Sequence, residues 1–445
     1  MEIDLPKSSL KRIIIIGCGF GGVQLAKSLS KSAYQVVMID RNNYHCFQPL
    51  MYQVATAGLD AESVVYPIRM IFRKQKNFSF RLGNIKEILP DENKISFGKR
   101  FLYYDHLVIA TGAKTNYRDN EGLIVSSMAM KNINEALDLR SLILQNFESA
   151  LMIKNARKRQ GLLNFVIAGA GPTGVELAGA IGELKQKTLP KDYPTIDFSL
   201  MNIYLVQSRD RVLPALSEES SAVVQKYLEK LGVTCVLNTR VLDFFGDYVQ
   251  TNTEDIIAKT LIWTAGVEGA PVNGLNQECL APGNRIATNK YNKVVGYDNI
   301  YAIGDVAAII EEATPKGHPM IAPVAIQQGQ QLANNFMALT KNRKQTPFKY
   351  KDQGSMATVG KNKAVVEIGS MKFKGTFAWV VWMVIHLMSL VGFRNKFVTL
   401  FHWIKHYFRD DKTMRTIISP FILSEAKRKR KQKIEDDKKT SFLSE

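Results

Sequence analysis

Two glycine-rich turns, Gly17-Cys18-Gly19-Phe20-Gly21-Gly22 and Gly169-Ala170-Gly171-Pro172-Thr173-Gly174, each follow an apolar run and open helix-compatible sequence. That order of strand, turn and helix confines each stretch to a parallel α/β unit. Ile13-Ile14-Ile15-Ile16 ahead of the first turn is a β-branched run suited to a strand buried on both faces. Glycine lets the backbone reach a pyrophosphate, and the helix start supplies free N–H groups and a positive dipole end. Asp40 closes the unit eighteen residues beyond Gly22, after Tyr34-Gln35-Val36-Val37-Met38-Ile39, where a ribose hydroxyl needs a carboxylate acceptor. The second unit repeats the pattern from Leu162-Leu163-Asn164-Phe165-Val166-Ile167-Ala168 to Asn202-Ile203-Tyr204-Leu205-Val206. Two dinucleotides are therefore expected on one chain.

The second unit differs at its last position, where Gln207 stands in place of an acid. A carboxylate would accept from a 2′-OH and repel a 2′-phosphate, whereas an amide bonds either without that charge penalty. Strict rejection of NADPH is one reading that this weakens. Slightly poorer NADH binding is the other, and both stay open here.

A chain of 445 residues suits two or three domains. Its 59 Lys and Arg against 41 Asp and Glu give +18, which points to an anionic partner surface. Cys18, Cys46, Cys235 and Cys279 are scattered without a close pair, against a dithiol centre or a structural zinc, so no metal is expected. The first residues carry no basic-then-apolar export pattern, and retention of the protein body inside the cell is expected.

Further motifs fall in register with the two units. Ala110-Thr111-Gly112 ends an apolar strand after the first, and Trp263-Thr264-Ala265-Gly266 does so after the second, as an internal duplication would place them. Two unrelated strand ends are the alternative. Ala302-Ile303-Gly304-Asp305 comes after the second unit, with a glycine for close approach and an aspartate able to accept from a ligand hydroxyl. Its late position suggests that the first domain is split and completed there.

In this order the motifs resemble the flavoprotein superfamily with two dinucleotide-binding domains. Phe47-Gln48-Pro49-Leu50-Met51-Tyr52-Gln53-Val54-Ala55, Ala325-Ile326-Gln327-Gln328-Gly329 and the C-terminal segments are similar to the type II NADH:quinone oxidoreductases, over about residues 10 to 410. The resemblance implies an α/β fold of two Rossmann-like domains plus a C-terminal amphipathic, helical, membrane-anchoring region. The expected domains are FAD-binding over 1–115 and 285–345, NADH-binding over 116–284, anchoring over 346–410, and a basic tail over 411–445.

Its implied FAD contacts are Gly17, Gly19, Phe20, Gly21, Gly22, Asp40, Arg41, Gln48, Ala110, Thr111, Gly112, Gly304, Asp305 and Ala325. Those for NADH, with NADPH left open, are Gly169, Gly171, Pro172, Thr173, Gly174, Glu176, Gln207, Ala265 and Gly266. Glu176 is implied to face the reacting rings; a first-turn acid complementing the helix dipole is the plainer alternative. Gln327, Gln328 and Pro323 are implied near the quinone, with Glu176 and Gln327 as the catalytic pair. The family pattern Ala-Gln-x-Ala-x-Gln reads Ala322-Pro323-Val324-Ala325-Ile326-Gln327 here, so the first glutamine is lost to proline. Pro323 as a simple helix-start residue explains it equally well.

Residues 375–393 carry no formal charge, a length that borders on a membrane span. Beyond them Phe397, Leu400, Phe401, Ile404 and Phe408 share one helical face, and Lys396, His402, Lys405 and Arg409 the other. With Trp379 and Trp382 nearby, an in-plane helix at the lipid headgroups is the favoured expectation; a span, or a helix pair buried in a homodimer, are the others. Residues 427–433 hold six cations in seven positions, suited to anionic lipid, whereas nucleic acid is not expected because no aromatic stacking platform accompanies them.

The activity implied is NADH oxidation through FAD to a membrane quinone without proton pumping, at the cytoplasmic face of the inner membrane. A sulfide:quinone oxidoreductase, a soluble NAD(P)H–flavin reductase and a non-catalytic flavin-binding membrane module are the competing readings.

Overall fold

The computed structural model describes residues 1–312, 314–409, 412 and 414–423; the basic run at 427–433 lies outside them. The helices that carry the argument are α1 (Phe20–Ser28), α2 (Met51–Ala55), α3 (Ile133–Met152), α4 (Pro172–Glu183), α5 (Ala322–Leu339), α6 (Gly375–Ser389) and α7 (Phe393–Arg409). The chain forms two compact units. The first comprises Met1–Cys46, Val65–Lys114 and Val267–Gln353, the second Phe47–Val64, Thr115–Gly266 and Gly354–Glu445.

The first unit is built on a five-stranded parallel sheet in the order Ile300–Ala302, His106–Ile109, Lys11–Ile16, Tyr34–Asp40, Phe78–Leu82. The isoleucine run sits in its middle and is buried on both faces, because successive side chains alternate. Ile13 and Ile15 pack with Leu25 and Phe336, whereas Ile14 and Ile16 pack with Ile88, Ile95 and Leu102. The late strand Ile300–Ala302 pairs with His106–Ile109 and so joins the sheet that the N-terminus began.

The second unit repeats the device, with parallel strands ordered Met128–Ala129, Thr260–Trp263, Phe165–Ala168, Ile203–Val206, Val233–Val236. A small antiparallel sheet of Ser355–Thr358, Ala364–Ile368 and Met371–Lys374 stands beside it. α4 reaches this sheet through Gly179, where an added Cβ would lie 3.2 Å from the Val359 Cα. α6 covers the sheet by packing Ala378 and Trp379 with Ala364 and Val366.

α7 is amphipathic in the unusual sense. Its small polar side docks on the unit: Asn395, 3% exposed, donates to the Glu62 and Ser63 carbonyls at 3.2 and 3.1 Å, and Thr399 is wholly buried. Phe393, Phe397, Phe401 and Phe408 face outward, all more than half exposed, as are Phe377, Val384 and Met388 of α6. Among the described residues no helix is long and apolar enough to cross a membrane. Trp382 departs from the interfacial expectation: α6 turns it into the unit, 2% exposed, where its ring stacks on His386 with centroids 4.1 Å apart.

Candidate functional site

In the first unit, Gly17 closes onto the neighbouring strand end. An added Cβ there would overlap the Ala110 carbonyl, and φ is +112°. Gly19 caps α1 without any side-chain hydrogen bond, and an added Cβ would meet nothing within 4 Å. Open space therefore faces the unpaired N–H groups of a helix start, which is what a diphosphate requires. Asp40 is held by two backbone donors, Cys18 N–H and Asn42 N–H, each at 2.7 Å. A carboxylate so held has further lone pairs with which it could accept from a ribose hydroxyl.

Phe20 and Arg41 flank this turn and strand end, Phe20 edge-on to buried His45 at 5.0 Å. Thr111 donates to the Ala270 carbonyl at 2.6 Å, and Gly112 has φ +71° with open space at its Cβ position. Gly304, φ +76°, begins a short 3-10 turn through Asp305 and sits under Ala325 of α5. The structure thus brings Gly17, Gly19, Gly21, Gly22, Asp40, Ala110, Gly304 and Ala325 into one unit. Gln48 starts the 3-10 turn Gln48–Leu50 and belongs to the second.

α5 carries the two glutamines. Gln328 is buried, and its Oε1 accepts from the Gly304 N–H at 2.7 Å. Gln327 is joined at both ends of its amide to Lys351, donating to the carbonyl and accepting from the N–H, each at 2.9 Å. Pro323 lies in the first turn of α5, where a missing N–H costs nothing.

The second unit offers the same kind of cradle. Gly169 (φ +101°) approaches Ala265, whose Cα would lie 2.7 Å from an added Cβ, and Gly174 would collide with the Gly169 carbonyl. Thr264 Oγ1 donates among the Ala168 and Gly169 carbonyls at 2.9 Å and ties the two turns together. Gly171 caps α4 with no side-chain bond, Pro172 and Thr173 are exposed beside it, and neither Gly171 nor Gly266 has a protein atom within 4 Å of a Cβ position. Gln207 ends the strand Ile203–Val206 and is buried; its Oε1 accepts from Ser208 N–H at 3.0 Å. Arg211 is paired with Glu218 at 2.9 Å, and Arg209 is exposed.

Glu176 lies on α4 and is buried. Burial pushes its carboxyl up to about 8, opposed by the Thr358 backbone and the Trp382 indole, which favour the ionised form. The indole N–H completes no hydrogen bond of good geometry, so burial dominates. Fully buried Tyr52 feels the Glu176 charge, and its hydroxyl is raised, first by burial. It accepts from Gln53 at 3.0 Å, and Gln53 in turn accepts from the Trp403 indole of α7 at 2.8 Å.

The motifs gave no sign of a cleft, open to solvent, lined by Trp379, Trp382, Trp403 and Tyr407 with Glu183 and Lys412. Lys412 is buried 3.8 Å from Glu183, and burial lowers the ammonium's affinity for its proton. Glu183 also accepts from Lys361 N–H at 2.6 Å. The aromatic spacing on α6 was a visible signal; the ion pair, drawn from distant stretches, left none.

The four cysteines are unpaired. Burial holds every one in its thiol form, with Cys46 and Cys235 raised to about 12. A nucleophilic thiolate is thereby disfavoured at each.

Residues 11–329 match the pyridine nucleotide-disulphide oxidoreductase family, and residues 353–410 match the NDH2 C-terminal domain. The chain is 34% identical over 412 residues to a type II NADH:quinone oxidoreductase of Mycobacterium tuberculosis, covering 88% of this chain and 87% of that protein. Its fold is similar to NDH2 from Plasmodium falciparum, solved with NADH, at a TM-score of 0.84 and 22% identity over 92% of this chain and all of that one. A sulfide:quinone oxidoreductase from Aquifex aeolicus shares the fold at a TM-score of 0.70 and 20% identity, over 90% and 95% of the two chains.

Proposed function

The chain belongs to the type II NADH:quinone oxidoreductases, and from that premise we propose that it oxidises NADH with FAD held by the first unit and reduces a membrane quinone. The observation that carries this reading is the pair of open glycine cradles at the starts of α1 and α4, each on its own parallel sheet. FAD bound there would supply the redox chemistry between the nicotinamide and the quinone.

The chain's own residues bind and align. The start of α1 takes the FAD diphosphate, Asp40 its adenosine ribose, and the turn at Gly304 and Asp305 its ribityl chain. The start of α4 takes the NADH diphosphate, and Gln207 meets its ribose without the charge that would exclude NADPH. Glu176 holds a proton at its buried carboxyl near neutral pH. Pro323 has no side-chain donor and Gln327 spends its amide on Lys351, so these two supply shape to a quinone site.

The outward aromatic face of α7, docked by its polar side, supports in-plane attachment to a bilayer. The excess of cations suits an anionic lipid surface. The cytoplasmic face of the inner membrane fits the unpaired cysteines. The proposed activity includes no proton pumping; among the described residues no helix is long and apolar enough to cross a membrane. The raised thiols disfavour sulfide chemistry. Detergent-purified protein should carry releasable FAD; a colourless protein, or one yielding only FMN, contradicts the reading.

A further inference from the structure

One turn of α5 touches both loops of the first unit's cradle. An added Cβ at Gly329 would lie 2.5 Å from the Gly21 carbonyl, and one at Gly21 would lie 3.1 Å from the Ala325 carbonyl. An added Cβ at Gly304 would lie 3.3 Å from the Ala325 Cβ, so that turn rests against the same stretch. Between these contacts Gln328, 1% exposed, accepts the Gly304 N–H at 2.7 Å.

Gly304 has φ +76°, which glycine adopts without strain, so its own sterics do not hold the turn in place. A buried N–H there needs an acceptor, and the Gln328 amide oxygen supplies it. We infer that Gln328 is a flavin-positioning residue: it locks the Gly304–Asp305 turn at a set distance from the α1 phosphate loop, and it does not bond the quinone. This rests on the functional reading above. The same helical turn, through Gly329 and Ala325, fixes the phosphate loop, so Gln328 couples the two ends of the cofactor cradle. Gln327, one residue earlier, faces Lys351 instead.

The test uses the full-length protein in detergent, with Gln328→Met, which keeps the volume and removes the acceptor, and Gln328→Glu, which keeps an acceptor oxygen. FAD is stripped and rebound, and its Kd is measured beside the NADH Kd and the quinone KM of whatever holoenzyme forms. Gln328→Met should weaken FAD binding about tenfold or more, the scale of a buried N–H left without its acceptor, with the NADH Kd unchanged and the quinone KM of the loaded fraction as in wild type. Gln328→Glu should recover most of the affinity, and should Gln328→Met fail to fold, it carries the test. Wild-type FAD affinity in Gln328→Met, loss of FAD in a folded Gln328→Glu, or a raised quinone KM with unchanged FAD Kd would each overturn the inference. A wild-type chain that binds no FAD at all would instead overturn the functional reading on which it rests.

Discussion

The replacement Gln207→Glu tests the assignment of the second cradle. Gln207 is buried at the end of the strand Ile203–Val206, and Ser208 N–H already occupies its amide oxygen at 3.0 Å. The group left for a ligand is an NH₂ donor, which a 2′-OH or a 2′-phosphate both accept. A carboxylate at the same place accepts from the 2′-OH and repels the phosphate. Arg211 offers little compensation to the phosphate, because its guanidinium is committed to Glu218 at 2.9 Å. Wild type should therefore oxidise NADPH measurably but more slowly than NADH. Restoring the acid should raise the NADH-to-NADPH ratio of kcat/KM by about tenfold, equivalent to about 1.4 kcal/mol of discrimination. The assay is steady-state oxidation of both nucleotides at saturating quinone, wild type against variant. An unchanged ratio would mean that Gln207 does not meet the ribose and that the reasoning is wrong.

Two further outcomes follow from the second unit. Folded Glu176 keeps its proton up to about pH 8, whereas the unfolded chain releases it near its ordinary value of 4.5. Stability should then fall as pH rises between those values and level off above them, by at most roughly 4–5 kcal/mol. Thermal unfolding at pH 5 and pH 9 should show a smaller loss in Glu176→Gln than in wild type; an equal loss refutes the assignment. The outward face of α7 can be tested without touching the interior, since Phe397 and Phe401 are 62% and 59% exposed. The double replacement by Glu should leave Tm within a degree or two while abolishing sedimentation with anionic vesicles. Undiminished sedimentation would show that this face does not meet lipid.

Both cradles were legible in the sequence because local sterics dictate them. Only glycine lets residue 17 close onto Ala110, or residue 169 onto Ala265, so the fingerprint records a backbone contact. The outward aromatic stripe of α7 was legible for the same reason, as a pure periodicity. The destination of a side chain was not. Nothing in Gln327-Gln328 says that one amide turns to Lys351 and the other to Gly304, since each partner is twenty-four residues away and set by packing. The tryptophans of α6 looked interfacial, yet Trp382 is buried, because composition shows aromatic content and not the rotational setting of a helix. Lys412 and Glu183 come from distant stretches of the sequence and meet only in the fold.

The account turns on electrons passing from NADH to a quinone. The direct measurement is NADH oxidation by the purified, FAD-loaded full-length protein, followed at 340 nm with and without a short-chain quinone. Oxidation should be slow alone and rise steeply and saturably with quinone, one quinol formed per NADH consumed. An oxidation rate that quinone leaves unchanged would contradict it.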